Sequence, residues 1–147
     1  MERAKILIVD DDPDLRRAMK IRLRANYYDT VQASDGYSAI AMAQKERPDL
    51  IILDLGLPAG DGFGVLKRLQ DADTLSNIPV IVLSTSTRAE DIAKAYILGA
   101  NCYISKPADL ESLVEVARTI EAFWLGTAAL VPEVNLRPQL LASRKTA

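Results

Sequence analysis

The sequence predicts an α/β fold, a doubly wound parallel sheet of five strands with five helices. Three observations carry this. Ile6-Leu7-Ile8-Val9, Leu50-Ile51-Ile52-Leu53 and Val80-Ile81-Val82-Leu83 are unbroken apolar runs bounded by turn residues, as strands buried on both faces should be. Segments with apolar residues at helical spacing separate them, so strands and helices alternate. Right-handed crossovers then wind the helices onto both faces of the sheet.

The elements follow in order. Asp10-Asp11-Asp12-Pro13 ends the first strand, and Pro13 suits the first position of a helix capped by Asp12. Leu15, Ala18, Met19 and Leu23 form the apolar stripe of that helix, which Asn26-Tyr27-Tyr28-Asp29 breaks. Tyr27 and Tyr28 are expected to pack in the connection. Thr30-Val31-Gln32-Ala33 is a short strand, and Ser34-Asp35-Gly36 turns into an alanine-rich helix reaching about Gln44. After the third strand, Pro58-Ala59-Gly60-Asp61-Gly62 is a loop, and Phe63, Leu66 and Leu69 set the next helix. The fourth strand ends in Ser84-Thr85-Ser86-Thr87. A helix from about Arg88 to Leu98 stops at Gly99, read as a left-handed cap. Cys102-Tyr103-Ile104 is the fifth strand, ending at Ser105-Lys106-Pro107; Cys102 reads as a small buried hydrophobe. Asp109 caps a last helix whose face comprises Leu110, Leu113, Val114, Ala117 and Ile120. Phe123 is expected to pack on the core and Trp124 to lie near the exposed end of this helix. Residues 1–125 form one domain. From 126 to 147 the pattern stops, leaving an extension without an output domain. Its apolar Leu130, Val131, Leu140 and Leu141 fit either a dimer arm or an unordered terminus.

Composition excludes several functions. The chain of 147 residues carries a formal net charge of −2, which gives no general attraction to nucleic acid or anionic membrane. It contains no histidine, so imidazole metal sites and histidine-based triads are absent, and its one cysteine excludes an internal disulfide. The N-terminal apolar run is too short for a signal peptide or a membrane span, which points to the cytoplasm.

The chemistry collects at the strand ends. All carboxyl ends of a parallel sheet face one edge, where ligands bind. Asp10 and Asp11, Asp54, Ser84 and Lys106 stand at four of the five. Three crowded carboxylates repel one another and are relieved by a divalent cation with oxygen ligands; Mg²⁺ suits the set. A carboxylate beside Mg²⁺ can act as a nucleophile toward phosphorus. Lys106 can offset charge on the phosphoryl oxygens, and Ser84 can donate a hydrogen bond to one. The plain alternatives are a helix cap for the aspartate run and turn residues for Asp54 and Lys106-Pro107. The cap explains Asp12 fully and Asp10 and Asp11 poorly.

With these residues assembled, residues 4 to 125 resemble a two-component response-regulator receiver domain. The likeness rests on Val9-Asp10-Asp11, on Leu53-Asp54-Leu55-Gly56-Leu57-Pro58 with Asp61-Gly62, on Leu83-Ser84, and on Tyr103 with Lys106-Pro107. It implies the flavodoxin-like strand order 2-1-3-4-5. It implies phosphorylation of Asp54 by a partner histidine kinase. Mg²⁺ would be held by Asp11, Asp54 and the Gly56 backbone carbonyl, with Asp10 acting through water. Ser84 and Thr85 would meet the phosphoryl group beside Lys106, Tyr103 would be the switch aromatic, and the Lys106–Pro107 bond would be cis. Asn101 to Pro107 and Ile120 to Leu125 resemble, more narrowly, single-domain regulators that partner phytochrome-type kinases and use a C-terminal extension to form homodimers. Output would then pass through protein contact, through changed dimerisation, or through a role as a phosphate store. Two rivals are a scaffold receiver that has lost phosphorylation and an aspartyl-nucleophile phosphatase. The latter usually needs a carboxylate two residues after the nucleophile, where this chain has Gly56.

Overall fold

The computed structural model describes residues 3–58 and 62–127. Five strands, β1 (Lys5–Val9), β2 (Asp29–Ala33), β3 (Leu50–Leu53), β4 (Val80–Ser84) and β5 (Cys102–Ser105), pair in parallel in the order β2-β1-β3-β4-β5. Between and after them run α1 (Pro13–Ala25), α2 (Gly36–Glu46), α3 (Gly62–Asp71), α4 (Ala89–Ile97) and α5 (Leu110–Ile120). A π-helical segment, Glu121–Thr127, continues α5.

Alternation along the central strands divides the core in two. Ile6, Ile8, Leu50, Ile52, Ile81 and Leu83 face α1 and α5, whose Leu15, Met19, Leu23, Leu113, Ala117 and Ile120 cover them. Leu7, Val9, Ile51, Leu53, Val80 and Val82 face the other way, beneath Ile40, Ala43, Val65, Leu66, Leu69 and Ala95 of α2, α3 and α4. Full burial of each Leu or Ile contributes about 1.5–3 kcal/mol, so the two layers fix the register of all three inner strands.

The helix starts are set by short polar side chains. Asp12 accepts hydrogen bonds from the backbone N–H groups of Asp14 and Leu15. Asp35 accepts from Ser38 N–H at 2.8 Å and Asp109 from Ser112 N–H at 2.7 Å. The Asp12 and Asp109 caps match the sequence reading, the Asp35 cap lies in the turn expected there, and Gly99, with a φ of 108°, is the expected left-handed stop after α4.

Three surface expectations are corrected. Leu110 and Val114 are 53% and 39% exposed. The inward stripe of α5 is Leu113, Ala117 and Ile120, and the two leucine and valine neighbours fall just off it. Phe123 and Trp124 exchange their expected roles. Trp124 lies eleven positions beyond Leu113 and extends that stripe onto the core, while Phe123 is 52% exposed and meets the Trp124 ring edge-on. Tyr27 does not pack in its connection. It takes a positive φ of 69° to end α1 and is 74% exposed, while Tyr28 does pack on the core. Cys102 is half-buried beside the core, and burial pushes its thiol pKa up, as expected of a small hydrophobe. The Ala59–Asp61 part of the β3–α3 loop and the extension from 128 onward lie outside the described residues.

Candidate functional site

Parallel pairing brings the ends of β1, β3, β4 and β5 to one edge of the sheet. The register aligns Val9 with Leu53, Leu53 with Val82, and Ser84 with Ser105, so Asp10, Asp54, Ser84 and Lys106 come together from four strands. Asp10, Asp54 and Ser84 are all buried. Buried carboxylates are rare without a partner, and here the partner is Lys106. Its Nζ lies 2.8 Å from Asp10 Oδ2 and 3.1 Å from Asp54 Oδ2.

The remaining valences are met by backbone. Asp12 N–H donates to Asp10 Oδ1 at 2.9 Å, and Gly56 N–H donates to Asp54 Oδ1 at 3.1 Å. Asp54 is therefore oriented from both sides, by Lys106 and by its own loop. Gly62, at the start of α3, lies against that loop. A Cβ there would stand 2.3 Å from Leu55 Cα and 2.6 Å from the Asp54 carbonyl oxygen, so glycine is required for the close approach.

Electrostatics follow from the burial. Desolvation raises the Asp10 pKa above 3.8; hydrogen bonds from Lys106 and the Asp12 backbone oppose the rise, and the Asp54 charge adds to it. For Lys106, burial acts downward, but the Asp10 and Asp54 carboxylates outweigh it and the ammonium is held above 10.5. Asp11 is exposed, yet one oxygen from each of Asp10, Asp11 and Asp54 lies within 4.8 Å of the others. Hard carboxylate oxygens at that spacing, next to the backbone of Gly56, fit a small divalent cation such as Mg²⁺ or Mn²⁺.

The other expected residues stand nearby. Thr85 is exposed and lines an open cleft of about 380 Å³ with Asp12, Lys106 and Pro107. Tyr103 is half-buried; its hydroxyl donates to the Ser86 carbonyl at 2.8 Å, and its N–H donates to the Tyr96 hydroxyl. The Lys106–Pro107 bond is trans, against the cis expectation, as no cis bond occurs among the described residues. The intrinsic preference of an X-Pro bond is about 0.5–1 kcal/mol toward trans. With the trans bond, Lys106 already reaches both carboxylates.

Two contributors escaped the sequence reading. Arg16, one turn into α1, donates from Nη1 to the Asp10 carbonyl at 2.6 Å. Ser86 links the β4–α4 loop to Asp91 through a 2.6 Å hydrogen bond. An arginine on an amphipathic helix and a serine in a polar loop carry no pattern that separates them from their neighbours.

A catalytic-looking carboxylate set on a parallel sheet, with lysine and serine converging on it and glycine rather than a carboxylate two residues after Asp54, defines a receiver-type site. The chain belongs to the response regulator receiver domain family, whose model matches residues 6–118. Response regulator Rcp1 of Synechocystis is 37% identical over 134 residues, covering 85% of this chain and 91% of that protein. The crystal structure of the phosphorylated cyanobacterial phytochrome response regulator RcpA superposes with a TM-score of 0.84 at 40% identity, covering 89% of this chain and 100% of that one. The Mn²⁺-bound form of Rcp1 gives a TM-score of 0.80 at 35% identity, over 88% and 99% of the two chains. The DNA-binding regulator RpaA of Synechocystis is 39% identical over 116 residues; this chain spans about half of its length (48%). The five-stranded order expected from the sequence is the observed one. Among the described residues no helix is long and apolar enough to cross a membrane.

Proposed function

We propose that the protein is a cytoplasmic phosphorylation switch of a two-component system, with Asp54 as phosphoryl acceptor. One observation carries the reading: a lysine ammonium bridges two buried aspartates at the sheet edge, with Ser84 at the neighbouring strand end. A structural salt bridge needs one carboxylate. The second, together with Asp11, would form a cation site in which Asp11, Asp54 and the Gly56 carbonyl would hold the ion directly and Asp10 through water. A divalent ion held by these residues would supply positive charge that offsets the charge on the transferring phosphoryl group.

The step is a displacement at phosphorus. A carboxylate oxygen of Asp54 bonds to phosphorus while the P–N bond of a kinase phosphohistidine breaks, and the imidazole leaves. Lys106 then exchanges a carboxylate contact for a phosphoryl oxygen. Ser84 turns its hydroxyl to another, with Thr85 at the exposed rim, and Tyr103 follows as the switch aromatic. The partner is a sensor histidine kinase of the phytochrome type; the similarity to RcpA over the whole of that chain supports this choice. The phosphorylated protein signals through protein contact, with a homodimer formed by the last helix and the C-terminal extension.

The test is intact mass after incubation with acetyl phosphate and Mg²⁺. Wild type should gain one phosphoryl group and Asp54→Asn none. Equal uptake by both would remove Asp54 from the role.

A further inference from the structure

α4 is weakly anchored for a helix next to a functional site. Ala95 is its one buried residue, and its N-cap, Arg88, makes no side-chain cap hydrogen bond. Polar contacts therefore help to place it: the Tyr96 hydroxyl accepts from Tyr103 N–H, Lys94 Nζ lies over the Phe63 ring, and Ser86 holds its N-terminal turn. The Ser86 hydroxyl donates to Asp91 Oδ2 at 2.6 Å and accepts from Arg88 N–H at 3.3 Å. Its carbonyl accepts from the Tyr103 hydroxyl, and its N–H donates to Ser84 Oγ at 3.4 Å.

These four bonds differ in strength. A hydroxyl donating to a carboxylate at 2.6 Å is a short charge-assisted bond. The 3.4 Å bond to Ser84 is the longest, and it is the one that gives way when the Ser84 hydroxyl rotates. A loop released at Ser84 and free elsewhere would relax locally. A loop tied to the first turn of α4 carries the helix with it.

We infer that the Ser86–Asp91 hydrogen bond is the pin that couples Ser84 to α4 and Tyr103, making Ser86 and Asp91 positioning residues of the switch. The inference rests on the proposed role of Asp54 and adds how its state reaches the surface. Without the pin, Asp54 still accepts a phosphoryl group, but α4 no longer responds.

Amide hydrogen exchange of the full chain tests this, with and without beryllofluoride and Mg²⁺, for wild type, Ser86→Ala, Asp91→Ala, the double variant and Ser86→Thr. In wild type, beryllofluoride should change exchange across α4. In each single alanine variant α4 should exchange about tenfold faster before addition, as expected for losing one charge-assisted bond, and lose its response. The double variant should be no faster than either single one, Ser86→Thr should behave as wild type, and exchange in β1 and β3 should not change. A normal α4 response in Ser86→Ala, or single effects that multiply in the double variant, would overturn the pin. Phosphoryl uptake from acetyl phosphate separates the two claims. If wild type takes up none, the Asp54 reading fails. The pin is then judged on unliganded exchange alone, where equal α4 rates in wild type and Ser86→Ala overturn it.

Discussion

The Lys106 ammonium lies closer to Asp10, at 2.8 Å, than to Asp54, at 3.1 Å. Lysine thus occupies the side of the acidic pair that a cation would also serve. The contact gives both buried carboxyl groups a charged partner, and it leaves Asp54 with the looser hold. Lys106 and a divalent ion should therefore act as partial substitutes.

Lys106→Ala tests that substitution. Removing the ammonium leaves two buried charges without compensation, a loss of about 3 kcal/mol in metal-free buffer, at the lower end for broken buried pairs. Mg²⁺ should then stabilise the variant more than wild type, because it relieves a larger repulsion. Thermal melts with chelator and with Mg²⁺ measure both terms. A variant that is no more Mg²⁺-responsive than wild type contradicts the shared role.

Asp10→Asn addresses the raised Asp10 pKa. A carboxyl that holds its proton more tightly when folded loses stability as pH rises from 3.8 through its folded pKa. Lys106 has the opposite profile: its contribution is complete below pH 10.5 and is lost as pH climbs through its raised folded pKa. Metal-free Asp10→Asn should therefore show a flatter stability profile between pH 4 and neutrality, while its Mg²⁺ affinity falls about tenfold, as for loss of an outer-shell partner that acts through water. Denaturant melts across that range, with chelator present, read the first effect. An unchanged pH slope would place the linkage elsewhere.

Much of this was legible in the chain itself. Unbroken runs such as Leu50–Leu53 announce buried parallel strands, and the acids and lysine that follow them can converge only if those strands run parallel. Phe123 and Trp124 show where such reading stops. Both are aromatic and adjacent, so composition cannot order them; counting the stripe from Leu113 does. The trans Lys106–Pro107 bond and the Ser86 bonds were not legible, because a peptide isomer and a hydroxyl rotamer depend on contacts made by distant residues.

The aromatic assignment has a stability consequence. Trp124→Ala should cost about 2 kcal/mol, less than full burial would imply because the ring is only partly buried, whereas Phe123→Ala should stay within about 0.5 kcal/mol. Urea unfolding of the two variants distinguishes them. The reverse order would mean that the helix end is turned the other way.

Gly62→Ala should be more damaging than either. Its new methyl would meet Leu55 and Asp54 backbone atoms, which cannot rotate aside. A loss of about 3 kcal/mol is expected from such overpacking, with slower phosphoryl uptake as the Asp54 loop shifts. A stable variant with normal uptake would show that the loop has room to move.

The central claim, that Asp54 itself forms the acyl phosphate, is tested most directly by trapping. Borohydride reduces an acyl phosphate to an alcohol and leaves free carboxylates intact, so a phosphorylated aspartate becomes homoserine. After acetyl phosphate and Mg²⁺, reduction and peptide mass mapping should find homoserine at position 54 and aspartate at positions 10 and 11. Homoserine at either of the latter, or phosphorylated protein with position 54 unreduced, would contradict the account.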